Sequence, residues 1–92
     1  MLRKAGTIIL GRANMSDWSS APMPCSCSVY GDQTIGAYRL GQDPSGLSSG
    51  GAVASSLGPA WASLGTETSG SITHPAHRSG IVGMKPMVGL TS

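Results

Sequence analysis

The stretch S-L-G-T-E-T-S-G-S-I-T-H-P-A, residues 63–76, leaves an apolar segment and turns abruptly to hydroxyls and glycine. Its centre, T-E-T-S-G-S (66–71), has no bulky side chain. Two readings open from it. One is a turn whose small residues serve only packing. The other is a site where backbone N–H groups approach a substrate closely and one hydroxyl attacks it. Gly70 suits the second reading, because a side chain at that position would block the approach. Amides converging in such a turn can stabilise a developing oxyanion, often the largest single contribution to acyl transfer. A serine nucleophile also needs a group to take its proton.

Working outward, A-W-A-S-L-G (60–65) reads as a strand leading into the turn. The segment S-S-G-G-A-V-A-S-S-L-G (48–58) predicts a helix of very small residues, with Gly58 just past its end and Pro59 beyond. Residues 5–10, A-G-T-I-I-L, read as a short buried strand that stops at Gly11. Ser16 and Asp17 offer a cap for a helical turn near 16–20. Residues 21–47 carry no sustained periodicity, and a connection of that length often belongs to a site. The tail I-V-G-M-K-P-M-V-G-L-T-S (81–92) is punctuated as strand–turn–strand segments are. No internal repeat is present. The alternation of strand, helix and strand predicts an α/β architecture.

With 92 residues the chain holds at most one small domain, and its core material is thin: no Phe, two Trp, two Tyr, 14 Gly and 6 Pro. That mix suits a piece of a larger α/β domain better than a self-sufficient mini-domain, which usually needs staples. The net charge is +2, and the basic residues Arg3, Lys4, Arg12, Arg39, Arg78 and Lys85 are spread singly. No basic run exists, so nucleic-acid binding has no footprint. The longest apolar run, Ile8 to Leu10, is too short for a membrane span or a secretory core. A cytoplasmic location is expected on that basis. Cys25 and Cys27 stand two residues apart, poor geometry for bridging each other. Joined with His74 and His77 they match no standard zinc spacing, and Pro75 disturbs a shared helical face. Loop thiols and turn histidines are the simpler reading.

Two serine sites stand out, Ser48–Ser49 and Ser71. G-L-S-S-G (46–50) formally matches the G-x-S-x-G elbow of the α/β hydrolases. That arrangement wants an acid and then a histidine on separate strand ends, whereas Glu67, His74 and His77 crowd the next turn. A His-based serine hydrolase stays open as one alternative. A phosphate-binding loop fails, because no Lys follows the glycines. Local chemistry alone leaves packing turns as an equal contender.

The combined pattern goes further. L-S-S-G-G-A-V-A (47–54), L-G-T-E-T-S-G-S-I (64–72) and G-I-V-G-M-K-P-M-V-G-L-T-S (80–92) resemble the serine- and glycine-rich signature of the amidase signature family. A-G-T-I-I-L-G-R-A-N-M-S-D-W (5–18) is similar to the strand and G-K-T-N segment that precede it in that family. The motifs cover nearly the whole chain, in family order. The separation of Ser48 and Ser71 by 23 positions, with T-E-T, is similar to the fungal branch.

The resemblance implies a mixed-sheet core with flanking helices and a Ser–Ser–Lys amidohydrolase that uses no metal and no cofactor. Ser71 matches the nucleophile that forms the acyl-ester, and Ser48 the bridging serine, held after a cis peptide bond. Thr68, Ser69, Gly70 and Ser71 match the oxyanion turn, and Ser49 a supporting hydroxyl. An uncharged lysine can act as base through two hydroxyls in series.

In the family that lysine lies upstream, in a G-x-P-x-x-x-K-D stretch, and this sequence has none. Lys4 and Lys85 stand in other contexts. Leu47 and Ser69 also differ from the usual small residue and the usual glycine or aspartate. Residues 1–92 are thus expected to form the central fragment of an amidase domain, acting in complete form on small-molecule amides and inactive alone. A non-catalytic remnant or interaction fragment is the rival expectation. Open sheet edges would favour self-association.

Overall fold

The computed structural model of the chain describes residues 1–17 and 26–91. A 3-10 turn spans Leu2–Ala5, and a two-stranded antiparallel ladder pairs β1 (Cys27–Ser28) with β2 (Asp32–Gln33). Helix α1 runs Ser49–Leu57 and helix α2 runs Thr73–Arg78. The expected helix over 48–58 therefore forms with its bounds close to those read from sequence. It ends as predicted: Gly58 adopts the left-handed conformation at φ 92°.

The helix is a poor one by propensity, since each internal glycine costs about 1 kcal/mol relative to alanine. Contact explains Gly50 and Gly51. A Cβ on Gly50 would run into the backbone of Asn14, and one on Gly51 would lie 2.8 Å from the Ser63 hydroxyl. The Gly50 N–H donates to the Asn14 carbonyl at 3.1 Å. Asn14 also binds the hairpin, its Nδ2 donating to the Asp32 carbonyl and the Thr34 hydroxyl at 3.0 Å each. Its Oδ1 accepts from the Ser28 hydroxyl at 2.6 Å. One polar side chain thus fixes the hairpin against the start of α1.

Helix α2 was not expected, because Pro75 reads as a breaker. Proline sits here at the third helical position, where its missing N–H has no intrahelical partner to lose. His74 and His77 are therefore helical residues one turn apart, not turn histidines. The two helices pack on each other. The Ser56 hydroxyl closes their far ends, donating to the Ser79 carbonyl.

Several expectations are corrected. Residues 5–10 and 60–65 form no strand, and a mixed sheet core is absent among the described residues. An apolar strand needs ladder partners on its flanks, and these segments meet none. Asp17 lies in a bend and Ser16 outside any helix, while the rest of the predicted turn, from Trp18, lies outside the described residues. Cys27 is disulfide-bonded, against the expectation for its spacing; Cys25 lies outside the described residues. None of the described helices is long and apolar enough to cross a membrane.

The core is small. Ala52 and Ala76 are its buried apolar residues, flanked by buried Pro44, Pro75, Ser49 and Ser79. No described Leu, Ile, Val, Met or Trp is buried, so the roughly 1.5–3 kcal/mol that each such burial typically contributes is missing. Trp61 is 99% exposed and Val82 90%. The accessible surface is 7164 Å², against about 5,000 Å² for a compact monomer of this mass. The radius of gyration is 13.0 Å, close to the roughly 12 Å of a compact chain of this length. The surplus surface therefore comes from uncovered apolar side chains, not from an extended shape.

Such a surface should associate. The isolated chain is expected to sediment as concentration-dependent oligomers and to enhance the fluorescence of a hydrophobic dye. A soluble monomer at tens of micromolar with one cooperative melting transition would contradict this.

Candidate functional site

The two serine segments meet through the backbone. The Ser48 N–H donates to the Ser71 carbonyl at 3.0 Å, across 23 steps of chain. Ser48 is the N-cap of α1 and is buried. Its hydroxyl turns to the chain at Thr66, accepting from that N–H at 3.2 Å and donating to that carbonyl at 3.4 Å. The side chain therefore fastens the 65–67 segment to α1. The Leu47–Ser48 peptide is trans, and no cis peptide bond occurs among the described residues. That corrects the expected cis bond, whose cost of about 3–4 kcal/mol needs surrounding structure to impose it.

Ser71 is half-buried, and its hydroxyl makes no hydrogen bond among the described residues, to Ser48 or to any other group. Gly70 before it adopts φ 83°, a conformation that L side chains resist. The Gly70 carbonyl accepts from the His74 N–H at 2.9 Å. The His74 ring lies over Gly70 so closely that a Cβ there would be 2.8 Å from Nδ1.

What shapes this turn is Glu67, a residue whose sequence context suggests only an acid for a hydrolase triad. Its carboxylate accepts from the N–H groups of Gly70 at 2.9 Å, Ile72 at 2.5 Å and Thr73 at 2.7 Å. The Thr73 hydroxyl adds a fourth contact at 3.2 Å. Ile72 is the N-cap of α2 and supplies no side-chain cap. Glu67 fills that role from five residues away, placing negative charge at the positive end of the helix. An acid a few residues before a helix was the available signal; the missing cue was that residues 73–78 are helical.

Desolvation raises the Glu67 pKa, but the hydrogen bonds from Thr73, Ile72 and Gly70 outweigh it and hold the group at about 2. The four amides expected in the oxyanion turn are thereby divided. Gly70 is taken by Glu67, whereas Thr68, Ser69 and Ser71 donate to no partner among the described residues. Thr68 and Ser69 are exposed.

Ser49 is fully buried at 0% exposure, and its hydroxyl, like that of Ser79, has no hydrogen-bond partner among the described residues. Leaving such a group unpaired costs about 1–3 kcal/mol. The lysines lie elsewhere. Lys4 is exposed in the 3-10 turn, and exposed Lys85 donates to the Pro86 carbonyl at 3.1 Å. No group of three or more potential metal-ligating side chains exists among the described residues.

Two measurements test these assignments. The lowered Glu67 pKa means its contribution is present above the unfolded value near 4.5 and lost as pH falls towards 2. A melting-temperature profile should therefore drop across that window, and Glu67→Gln should lower stability at pH 7 while shrinking the acid-side drop. An unchanged profile in the variant would show that the contacts contribute nothing. Separately, Ser49→Ala should leave the melting temperature unchanged or raise stability by up to about 1 kcal/mol; clear destabilisation would reveal a bond to that hydroxyl.

Comparison with known proteins places this geometry. The family model described as Amidase matches residues 1–92. An amidase-named protein of Arthroderma benhamiae is 55% identical over 94 residues, covering 99% of this chain and 16% of that protein. An amidase-named protein of Arabidopsis thaliana is 46% identical over 94 residues, covering 99% of this chain and 18% of that one. A glutamyl-tRNA(Gln) amidotransferase subunit of Symbiobacterium thermophilum is 44% identical over 91 residues, again 99% of this chain and 18% of the relative. The chain thus spans less than a fifth of the length of these curated relatives. No solved structure matches it. By the family model, which covers residues 1–92, the chain belongs to the amidase family.

Proposed function

We propose that these 92 residues are the serine- and glycine-rich segment of a hydrolase domain of α/β class that cleaves carboxamide C–N bonds. The observation that carries this reading is the 3.0 Å hydrogen bond from the Ser48 N–H to the Ser71 carbonyl. It brings the two serines with matching family roles together at the start of α1. Ser71 attacks the amide carbonyl, and its proton passes through the Ser48 hydroxyl to a base. The C–N bond breaks as the nitrogen takes that proton and leaves as ammonia or amine. Water then hydrolyses the acyl-ester to the acid and restores Ser71.

For this relay the Ser48 hydroxyl must leave Thr66 and face Ser71, a rotation about one side-chain bond. Backbone amides at Thr68, Ser69 and Ser71 are unengaged and available to the oxyanion; Gly70 contributes its amide only if Glu67 lets go. Ser49, buried and without a partner among the described residues, matches the family's supporting hydroxyl and would have to turn towards Ser48 to act as one. A lysine base belongs to a sequence stretch these residues do not contain, so the 92 residues alone should turn over no amide. Losing one member of such a unit costs about 10³–10⁶ in rate.

A second reading has one observation in its favour. The His74 ring packs on Gly70, next to Ser71, where a histidine could serve as base. A third, non-catalytic reading as a docking fragment draws on the uncovered apolar surface.

Grafting residues 1–92 in place of the matching segment of a related amidase separates the three. Amide hydrolysis should survive the graft and fall at least about 10³-fold in Ser71→Ala. It should be little changed in His74→Ala, whereas strong loss there would favour the histidine base. Retained activity in Ser71→Ala would remove the nucleophile assignment. Efficient fluorophosphonate labelling of Ser71 in the isolated chain would overturn the need for an outside base.

A further inference from the structure

A cleft of about 370 Å³ opens between the loop carrying Ser45 and the outer face of α2, lined by Ser45, His74, His77 and Arg78. Three of the four lining side chains are cationic or can become so. His74 and His77 stand three residues apart on one helix, so they share a face. Arg78 reaches across the cleft, its guanidinium donating to the Asp43 carbonyl at 2.9 Å. That bond uses one edge of the fork, and no other partner for it exists among the described residues. A planar fork with free N–H groups is the side chain best matched to an oxyanion.

The acids nearby are already committed. Asp43 accepts from the Ser26 hydroxyl at 2.7 Å and the Ser45 N–H at 2.9 Å. Glu67 spends its oxygens on the turn before α2. Neither carboxylate closes the cleft with an internal ion pair. The geometry points to a binding site for the anionic end of a small organic acid, held by Arg78 and by the ring N–H groups of His74 and His77, with the Ser45 hydroxyl as a further donor. The volume accommodates a metabolite-sized molecule. Carboxylate and phosphate share the required chemistry, an oxygen fork with negative charge.

The charged and titratable groups near the cleft are His74, His77, Arg78, Asp43 and Glu67. Desolvation raises the Asp43 pKa, but the Ser45 N–H, the Ser26 hydroxyl and N–H, and the Arg78 charge hold it below the usual value. With Glu67 also held low, both acids stay ionised from about pH 5.5 to 8. This site stands whether or not Ser71 reacts.

The test follows the imidazole proton resonances of the 92-residue chain during titration with succinate, with inorganic phosphate and with sodium chloride. The expected result is a saturable shift of both histidines with succinate or phosphate, and none with chloride. Response to succinate alone assigns a carboxylate ligand; response to phosphate alone assigns a phosphorylated one. His77→Gln, an exposed change, and Arg78→Ala should each weaken binding about fivefold or more, corresponding to the loss of one charge-assisted contact. No saturable shift with either anion, or equal shifts in both variants, would overturn the proposal.

Discussion

The Glu67 carboxylate organises the turn between the two helices. Three backbone N–H groups and a hydroxyl converge on its two oxygens, and the chain between residues 67 and 73 closes into a ring around them. Hydrogen bonds to a charged acceptor are roughly twice as strong as neutral ones, so this ring is stiffer than its glycine and hydroxyl content suggests. Its closure sets the left-handed Gly70, starts α2 and points the Ser71 carbonyl at the N-cap of α1. The same arrangement consumes one amide that an oxyanion could use. Stability of the turn and availability of its donors therefore pull in opposite directions, a conflict typical of functional loops.

Around that ring the packing is built from small residues and backbone contacts. Ala52, Ala76, Pro44 and Pro75 fill the interior, and the glycines of α1 bring it against Asn14 and Ser63. Close approach of this kind suits a seam between elements, but it buries little apolar area. Larger side chains such as Trp61, Leu64 and Met84 face outward. Their exposure leaves much of the apolar surface of the described residues uncovered.

Sequence made some of this legible and hid the rest for identifiable reasons. Helix α1 could be read because a run of small residues followed by Gly58 and Pro59 encodes both its body and its stop. The family pattern implies the hydroxyls of Ser48 and Ser71 in series; what joins the two residues is an N–H and a carbonyl, while the Ser48 hydroxyl turns to Thr66. The segments at 5–10 and 60–65 look like strands by composition, but pairing depends on partners that composition does not contain. Conversely, β1 and β2 consist of Cys, Ser, Asp and Gln, residues with little strand preference, and their pairing is fixed from outside by Asn14. Helix α2 was masked by Pro75, whose early position removes the usual penalty. Glu67 could not be recognised as the anchor of the turn until the helix it caps was known.

The glycines facing Asn14 and Ser63 have a consequence for how this segment can diverge. Where Gly50 lies directly on the Asn14 backbone, no larger residue fits without moving the main chain, whereas the Ser63 side chain facing Gly51 has some room to give. Exposed Leu57, at the far end of α1, is under no such constraint. The tolerance of this helix to exchange therefore rises from its first turn to its last.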